Sequence, residues 1–245
     1  MTAEGRCAPA EFDPDSILFQ GGGVLAVNKP AGLPVHRGTS HAAGLAELID
    51  EWVRRNPGVI EIRAGKPVRP AHRLDLEASG VLVFALHRTA ARDVQEALSS
   101  RAAGKRYLAV IAGPVNAMGH IRGVVRSKLR GEYRRLESEL AYRRLAGDER
   151  LSLVEVTPAG GRTHQIRALF AHEGRPLAGD LRYGKPKPAR QFLEKFGVPH
   201  LVLHAHRLTL PASVLGTERV IEAPLPPALL RVMEMKGWPL PGSTA

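Results

Sequence analysis

The chain has 245 residues, 44% of them apolar and 24% charged, with 35 Lys and Arg against 24 Asp and Glu and a formal net charge of +11. That is globular usage with a strong basic excess; it favours a polyanionic partner such as nucleic acid, although a solvated arginine-rich face would give the same totals. A single cysteine, Cys7, excludes an internal disulfide and a cysteine-built metal cage, and no secretory leader pattern or membrane-length apolar run is present, so a soluble cytoplasmic protein is expected.

Residues 1–15 read as a mobile lead-in, and 16–240 as one domain without internal repeats. Ile17-Leu18-Phe19 and Val24-Leu25-Ala26-Val27 flank Gly21-Gly22-Gly23 and predict a hairpin. The triple glycine is not a dinucleotide loop, because Asn28-Lys29-Pro30 follows where a helix would have to open. The loop NKPAGLPVHRG brings Lys29, His36 and Arg37. Leu45, Leu48, Ile49, Trp52 and Val53 recur at helical spacing up to Asn56-Pro57-Gly58. A basic loop at 65–71 leads to Gly80-Val81-Leu82-Val83-Phe84-Ala85, a strand-length run suited to burial on both faces.

Thr89 is placed to cap a helix reaching about Ser100. Tyr107 to Ile111 reads as a strand stopped by Gly113-Pro114, and 116–132 as basic and turn-rich. Glu137 to Leu145 and Leu151 to Thr157 read as strands, and His164 to His172 as a helix stopped by Gly174. Residues 179–200 read as a loop-rich insertion with one helical turn. Leu201 to Leu210 and Arg219-Val220-Ile221 read as strands, and 227–236 as a closing helix. Strands and helices without regular alternation predict an α+β fold on a mixed, mostly antiparallel sheet.

Four stretches can carry chemistry. In HRLDLEASG (72–80), Asp75 follows a loop and precedes a buried strand, so its carboxylate can be held at a sheet edge facing a cleft; taken alone, the stretch fits a turn-capping aspartate beside a surface arginine better. In GRTHQIRALFAHEGRP (161–176), Arg162, His164, Arg167 and His172 crowd one short helix. That suits an anion at the helix entry, a solvated basic face, or a semi-buried Arg167 with a carboxylate partner. Tyr107 begins a strand after Lys105-Arg106, either as a platform for a base or as ordinary sheet packing. His204-Ala205-His206 puts two imidazoles on one strand face, too few for a closed metal site. No GxxxxGK[ST], GxSxG or HExxH pattern is present, which argues against nucleotide hydrolysis, serine hydrolysis and zinc proteolysis.

In order, VNKPAGLPVH, HRLDLEASGVLVFA, GKRYLAVIAG and GRTHQIRALFAHEGRPLAGDLRYG resemble the signature blocks of the RluA-type RNA pseudouridine synthases, over about residues 17–225. The resemblance implies a single catalytic domain, a mostly antiparallel sheet flanked by helices and loops, and an active site in a central cleft. It implies isomerisation of chosen uridines in ribosomal or transfer RNA, without cofactor or metal. By position, Asp75 would be the catalytic carboxylate, Tyr107 would stack on the uracil, and Arg167 would pair with Asp75. Arg73 would fill the gap left by a flipped-out uridine. Asp75 could act as nucleophile at the sugar or as base at C2′.

His72, Lys29, Arg162, His164, Lys105 and Arg106 are the expected RNA-contacting neighbours, and the stretches 54–73, 101–106, 122–135 and 182–190 the expected phosphate contacts. Leu76-Glu77, Ala78 and Gly160 depart from the usual pattern and flank the catalytic positions without replacing them. Many relatives carry an N-terminal S4 RNA-binding domain; none is expected here, nor is an obligate protein partner, so a monomer acting on structured RNA is the expectation. The rival reading is an RNA-binding or RNA-chaperone protein that kept the fold without turnover.

Overall fold

A computed structural model describes residues 11–37, 43–60, 67–129 and 132–241. Most of the expected lead-in lies outside these residues, as do 61–66 and 130–131 within two of the basic stretches.

The chain opens with an antiparallel hairpin, β1 (Ile17–Gly21) and β2 (Val24–Lys29), turned by Gly22 and Gly23 at positive φ. Helix α1 (Leu45–Arg55) buries Leu45, Leu48 and Ile49, as its spacing predicts. The short β3 (Arg69–Pro70) pairs with β4 (Ser79–Ala85), whose residues are all buried. Helix α2 (Arg88–Ser99) starts one residue before the expected cap. His87, not Thr89, caps it, through Nδ1 accepting the Ala90 N–H at 3.1 Å. Strand β5 (Gly104–Ala112) begins three residues ahead of Tyr107.

The stretch expected to be turn-rich is mostly strand among the described residues. It contains β6 (Met118–Leu129), paired along its length with β7 (Glu132–Gly147). Buried Ile121, Val125 and Ser127 alternate with exposed Arg122, Val124 and Arg126, a strand period masked by glycine and arginine. Strand β8 (Leu151–Pro158) leads into α3 (Gln165–His172). The supposed loop at 179–200 carries α4 (Pro186–Phe196), a full helix ended by Gly197 in the left-handed region. Pro186 and Pro188 sit in its first turn, where an absent N–H breaks no helical bond, so they do not oppose the helix. Strand β9 (Leu203–Leu210), the short α5 (Ala212–Leu215), β10 (Arg219–Glu222) and α6 (Pro227–Lys236) complete the chain.

The strands form one open sheet ordered β1-β2-β4-β9-β5-β8-β7-β6, with β10 on β9 and β3 on β4. All these pairings are antiparallel except β4 with β9. Helices cover both faces. Leu82 and Phe84 of β4 and Ala109 and Ile111 of β5 share a core with α1 and α3. Val81 and Val83 pack with α2, while Leu108 and Val110 pack with α4 and α6. Strands buried on both faces read as continuous apolar runs, and each fully buried Leu, Val or Phe contributes about 1.5–3 kcal/mol. Among the described residues no helix is long and apolar enough to cross a membrane.

Strand β9 positions the candidate site. Ala205 stands opposite Gly80 of β4 on one side and Tyr107 of β5 on the other. Gly80 has φ +107°, and a Cβ there would overlap the Ala205 carbonyl oxygen. Only glycine permits this approach. It brings the turn before β4, and Asp75 with it, across β9 from Tyr107.

Candidate active site

Asp75 lies on a turn closed by the Ala78 N–H donating to the Asp75 carbonyl at 3.1 Å. Its carboxylate is 13% exposed and shares a small pocket with Tyr107, Arg73, Arg162 and His164. Arg167 of α3 is 1% exposed. Its Nη1 reaches Asp75 Oδ2 at 3.5 Å and Glu77 Oε2 at 3.0 Å. Its main partner is Asp180, with Nε donating to Oδ2 at 2.7 Å and Nη2 to Oδ1 at 3.0 Å. Burial opposes the guanidinium's charge, but Asp180, Glu77 and Asp75 together hold it above its ordinary range. Burial likewise pushes Asp180 up; the bonds from Arg167 and from the Tyr183 and Arg182 N–H groups prevail and hold it below the usual carboxylate range.

Tyr107 is held above the usual phenol range by burial and then by Asp75, so its hydroxyl stays neutral. His164 caps α3 in the left-handed region, with φ 53° and ψ 26°. For a residue with a Cβ this conformation costs about 1–2 kcal/mol. It aims the ring at Asp75, with Nε2 3.8 Å from Oδ1, while Nδ1 lies 3.2 Å from the Tyr183 hydroxyl.

The expected RNA-contacting residues divide. Arg73 and Arg162 line the pocket and also a groove of about 940 Å³ that adjoins it. Arg101, Lys105 and Arg122 line the same groove, drawn from the 101–106 and 122–135 stretches. Glu139 holds Arg101 at 3.0 Å and Arg122 at 3.2 Å, and Lys105 donates to the Gly160 carbonyl at 2.7 Å. His72 borders the groove, but its Nε2 accepts the Val83 N–H at 3.1 Å. Burial pushes its imidazole down to about 4, so it brings no charge to a phosphate.

Lys29 is a correction. It is 0% exposed, and Nζ donates to the carbonyls of Pro30 at 2.8 Å, Leu33 at 2.7 Å and Leu76 at 3.3 Å. Burial pushes its amine down to about 7 against the pull of Asp75 and Glu77. It is an internal pin and not a surface contact: with the Gly32 N–H, 2.8 Å from the same Leu76 carbonyl, it fixes the turn that carries Asp75. Arg106 is also displaced. It neighbours Tyr107 on a strand, so it falls on the other face, where its guanidinium meets Glu155 at 3.4 Å. Among the described residues no His, Cys, Asp and Glu cluster is arranged to hold a metal. His204 is fully buried with Nδ1 2.9 Å from the Ser79 hydroxyl.

Sequence reasoning assigned no role to Asp180 or Tyr183. Their signal was present in GDLRYG: Asp180 Oδ1 accepts the N–H groups of Arg182 and Tyr183, the local turn that aspartate favours.

The family model for RNA pseudouridylate synthase matches residues 23–172. The chain is 31% identical over 242 residues to the tRNA pseudouridine synthase C of Vibrio vulnificus (strain CMCP6), covering 91% of this chain and 96% of that one. It is 32% identical over 232 residues to the ribosomal large subunit pseudouridine synthase C of Escherichia coli (strain K12), covering 90% and 69%. The solved human RNA pseudouridylate synthase domain containing 4 superposes with a TM-score of 0.75 at 24% identity, covering 93% and 95%, which speaks to the fold.

Proposed function

The chain belongs to the RNA pseudouridylate synthase family and is an isomerase, and from that premise we propose that it converts chosen uridines of transfer or ribosomal RNA to pseudouridine with Asp75 as the working carboxylate. The reaction breaks the bond from C1′ to N1, turns the uracil and joins C5 to C1′. One observation carries the reading: a poorly exposed carboxylate and a neutral tyrosine share one pocket, with a buried arginine behind the carboxylate. A uracil cannot reach such a pocket from inside a helix, so the uridine is flipped out at a cost of a few kcal/mol. Tyr107 beneath the base recovers about 1–3 kcal/mol, and Arg73 at the pocket edge fills the vacated stack. Asp75 then acts on the ribose, as nucleophile at C1′ or as base at C2′.

The adjoining groove takes the flanking RNA by its phosphates, through Arg101, Arg122 and Arg162. A binder without turnover has no use for a carboxylate in a basic cleft, where it repels phosphate, and that disfavours the rival reading. The test is tritium release from RNA carrying uridine labelled at C5, with wild type beside Asp75→Asn. Forming the new carbon–carbon bond must expel that hydrogen. Release by wild type and none by the variant, at nearly equal RNA affinity, is the expected result. Wild-type-like release by Asp75→Asn would remove Asp75 from the role.

A further inference from the structure

Asp75 has a second support that the arginine does not provide. Oδ2 faces Arg167 at 3.5 Å, and Oδ1 faces His164 Nε2 at 3.8 Å. Behind His164, Nδ1 meets the Tyr183 hydroxyl at 3.2 Å, with the rings edge to face at 5.7 Å. Both arms end on the same residue. Asp180 takes the Arg167 guanidinium in two bonds, and its Oδ1 also accepts the Tyr183 backbone N–H at 3.0 Å. His164 is one of two non-glycine residues at positive φ among those described. Strained backbone of this kind persists where the surroundings over-determine it, and it concentrates at functional sites.

The contacts fix how the imidazole carries its proton. A lone pair on Nε2 would point at the Asp75 carboxylate and repel it, so Nε2 bears the hydrogen. Nδ1 is then an acceptor, and the Tyr183 hydroxyl donates to it. Burial holds His164 below its ordinary range, with Arg167 and Arg182 adding to this and Asp75 and Glu77 opposing it. The ring is therefore neutral at neutral pH and has one proton to offer. At 3.8 Å the contact to Oδ1 is too long for a hydrogen bond, but such contacts tighten when a substrate closes the site.

The geometry points to His164 as a positioning residue for Asp75, with Tyr183 fixing its tautomer, so that a neutral N–H donor holds Oδ1 while Arg167 holds Oδ2. The inference rests on the reading that Asp75 is the working carboxylate. Arg167 meets Oδ2 through Nη1, a nitrogen it shares more closely with Glu77. His164 supplies direction, and in the RNA complex it orients the carboxylate lone pairs towards the ribose. Tyr183 has the further effect of occupying Nδ1, which delays protonation of the ring as pH falls. Around the imidazole the charged and titratable groups include Asp75 and Glu77 from the turn before β4, Arg167 from α3, and Arg182 and Tyr183 from the loop after Asp180, with Arg73, Tyr107 and Arg162 lining the same pocket.

The test uses full-length protein and the tritium-release assay, once wild-type release and its loss in Asp75→Asn are in hand. Failure of that control would retire the parent reading and is distinct from failure here. Tyr183→Phe keeps the ring and removes the hydroxyl. It should lower kcat about tenfold, leave KM for RNA within about twofold, and move the acid limb of kcat to higher pH, because Nδ1 is freed to take a proton. His164→Phe should lower kcat by a further order of magnitude, and adding Tyr183→Phe to it should not move the acid limb any further. A purely structural role would change stability and not the pH profile, so unchanged kcat and an unchanged acid limb in Tyr183→Phe would overturn the inference. Histidine-selective ¹⁵N spectra of wild type read the tautomer without any variant. A proton on Nε2 supports the inference, and a proton on Nδ1 overturns it.

Discussion

The guanidinium of Arg167 and the carboxylate of Asp180 form a two-pronged buried pair, with heavy-atom distances of 2.7 and 3.0 Å and side chains 1% and 0% exposed. Asp75 receives only the remaining Nη1, at 3.5 Å and shared with Glu77. The arginine that the signature block implied as the partner of Asp75 is thus anchored first to a third carboxylate. That anchor holds a charge in place where desolvation would otherwise expel it.

Removing the anchor should be strongly destabilising. Asp180→Asn leaves a buried guanidinium short of its counter-charge and should lower unfolding free energy by about 3–5 kcal/mol. Urea denaturation reads this directly; a wild-type midpoint would mean that Glu77 and Asp75 suffice. Arg167→Lys should fold better than that variant yet lose at least about tenfold in turnover, because an ammonium cannot reproduce the planar fork.

Tyr107 separates stacking from hydroxyl chemistry. If its ring supports the uracil, Tyr107→Ala should weaken binding of substrate RNA by about 1–3 kcal/mol, and Tyr107→Phe by much less. Titration of Asp75→Asn-background proteins with the same RNA measures this without turnover. Equal losses in the two variants would assign the contribution to the hydroxyl.

The groove cations should reveal themselves through salt. A variant that neutralises one phosphate fewer should show a slope of log K against log salt shallower by about 0.7–0.9. Arg122→Ala, in the groove, should show one such step. Arg106→Ala, paired with Glu155 on the other face, should leave the slope unchanged. Binding isotherms between low and physiological salt distinguish the two.

Two histidines, His72 half-buried and His204 fully buried, set an acid limit on folding. His72 and His204 are both pushed down to about 4, chiefly by burial. In the unfolded chain each takes a proton near pH 6.5, so between about pH 6.5 and 4 the unfolded state holds more protons than the folded one. Stability therefore falls as pH falls through that window, by up to ~1.4 kcal/mol per pH unit for each group. Denaturation midpoints at pH 7, 6 and 5 check the sign, and a flat profile would contradict it.

Much of this molecule was legible in its sequence because the relevant signals are local. The apolar run of β4, the helical spacing of α1, the glycine turn between β1 and β2 and the four ordered blocks depend on near neighbours. Asp75, Tyr107 and Arg167 could be named from those blocks. The long strand β6 and helix α4 were missed because glycine, arginine and proline mask a period that the pairing partner or the packed face reveals.

What only the tertiary structure decided is who meets whom. Lys29 and Arg106 carry the same charge as Arg73 and Arg162 in the sequence. Burial turns the first into an internal pin, and strand alternation turns the second away from the groove. Asp180 and Tyr183 join the site because α3 and the loop after it fold against the turn before β4, residues far apart in the chain. Asp75 and Tyr107 face one pocket because β9, contributed by residues 203–210, enters between their strands. Propensity and patterning choose the elements, but desolvation and the pairing of distant charges act only once the chain has closed, and those forces determine the site.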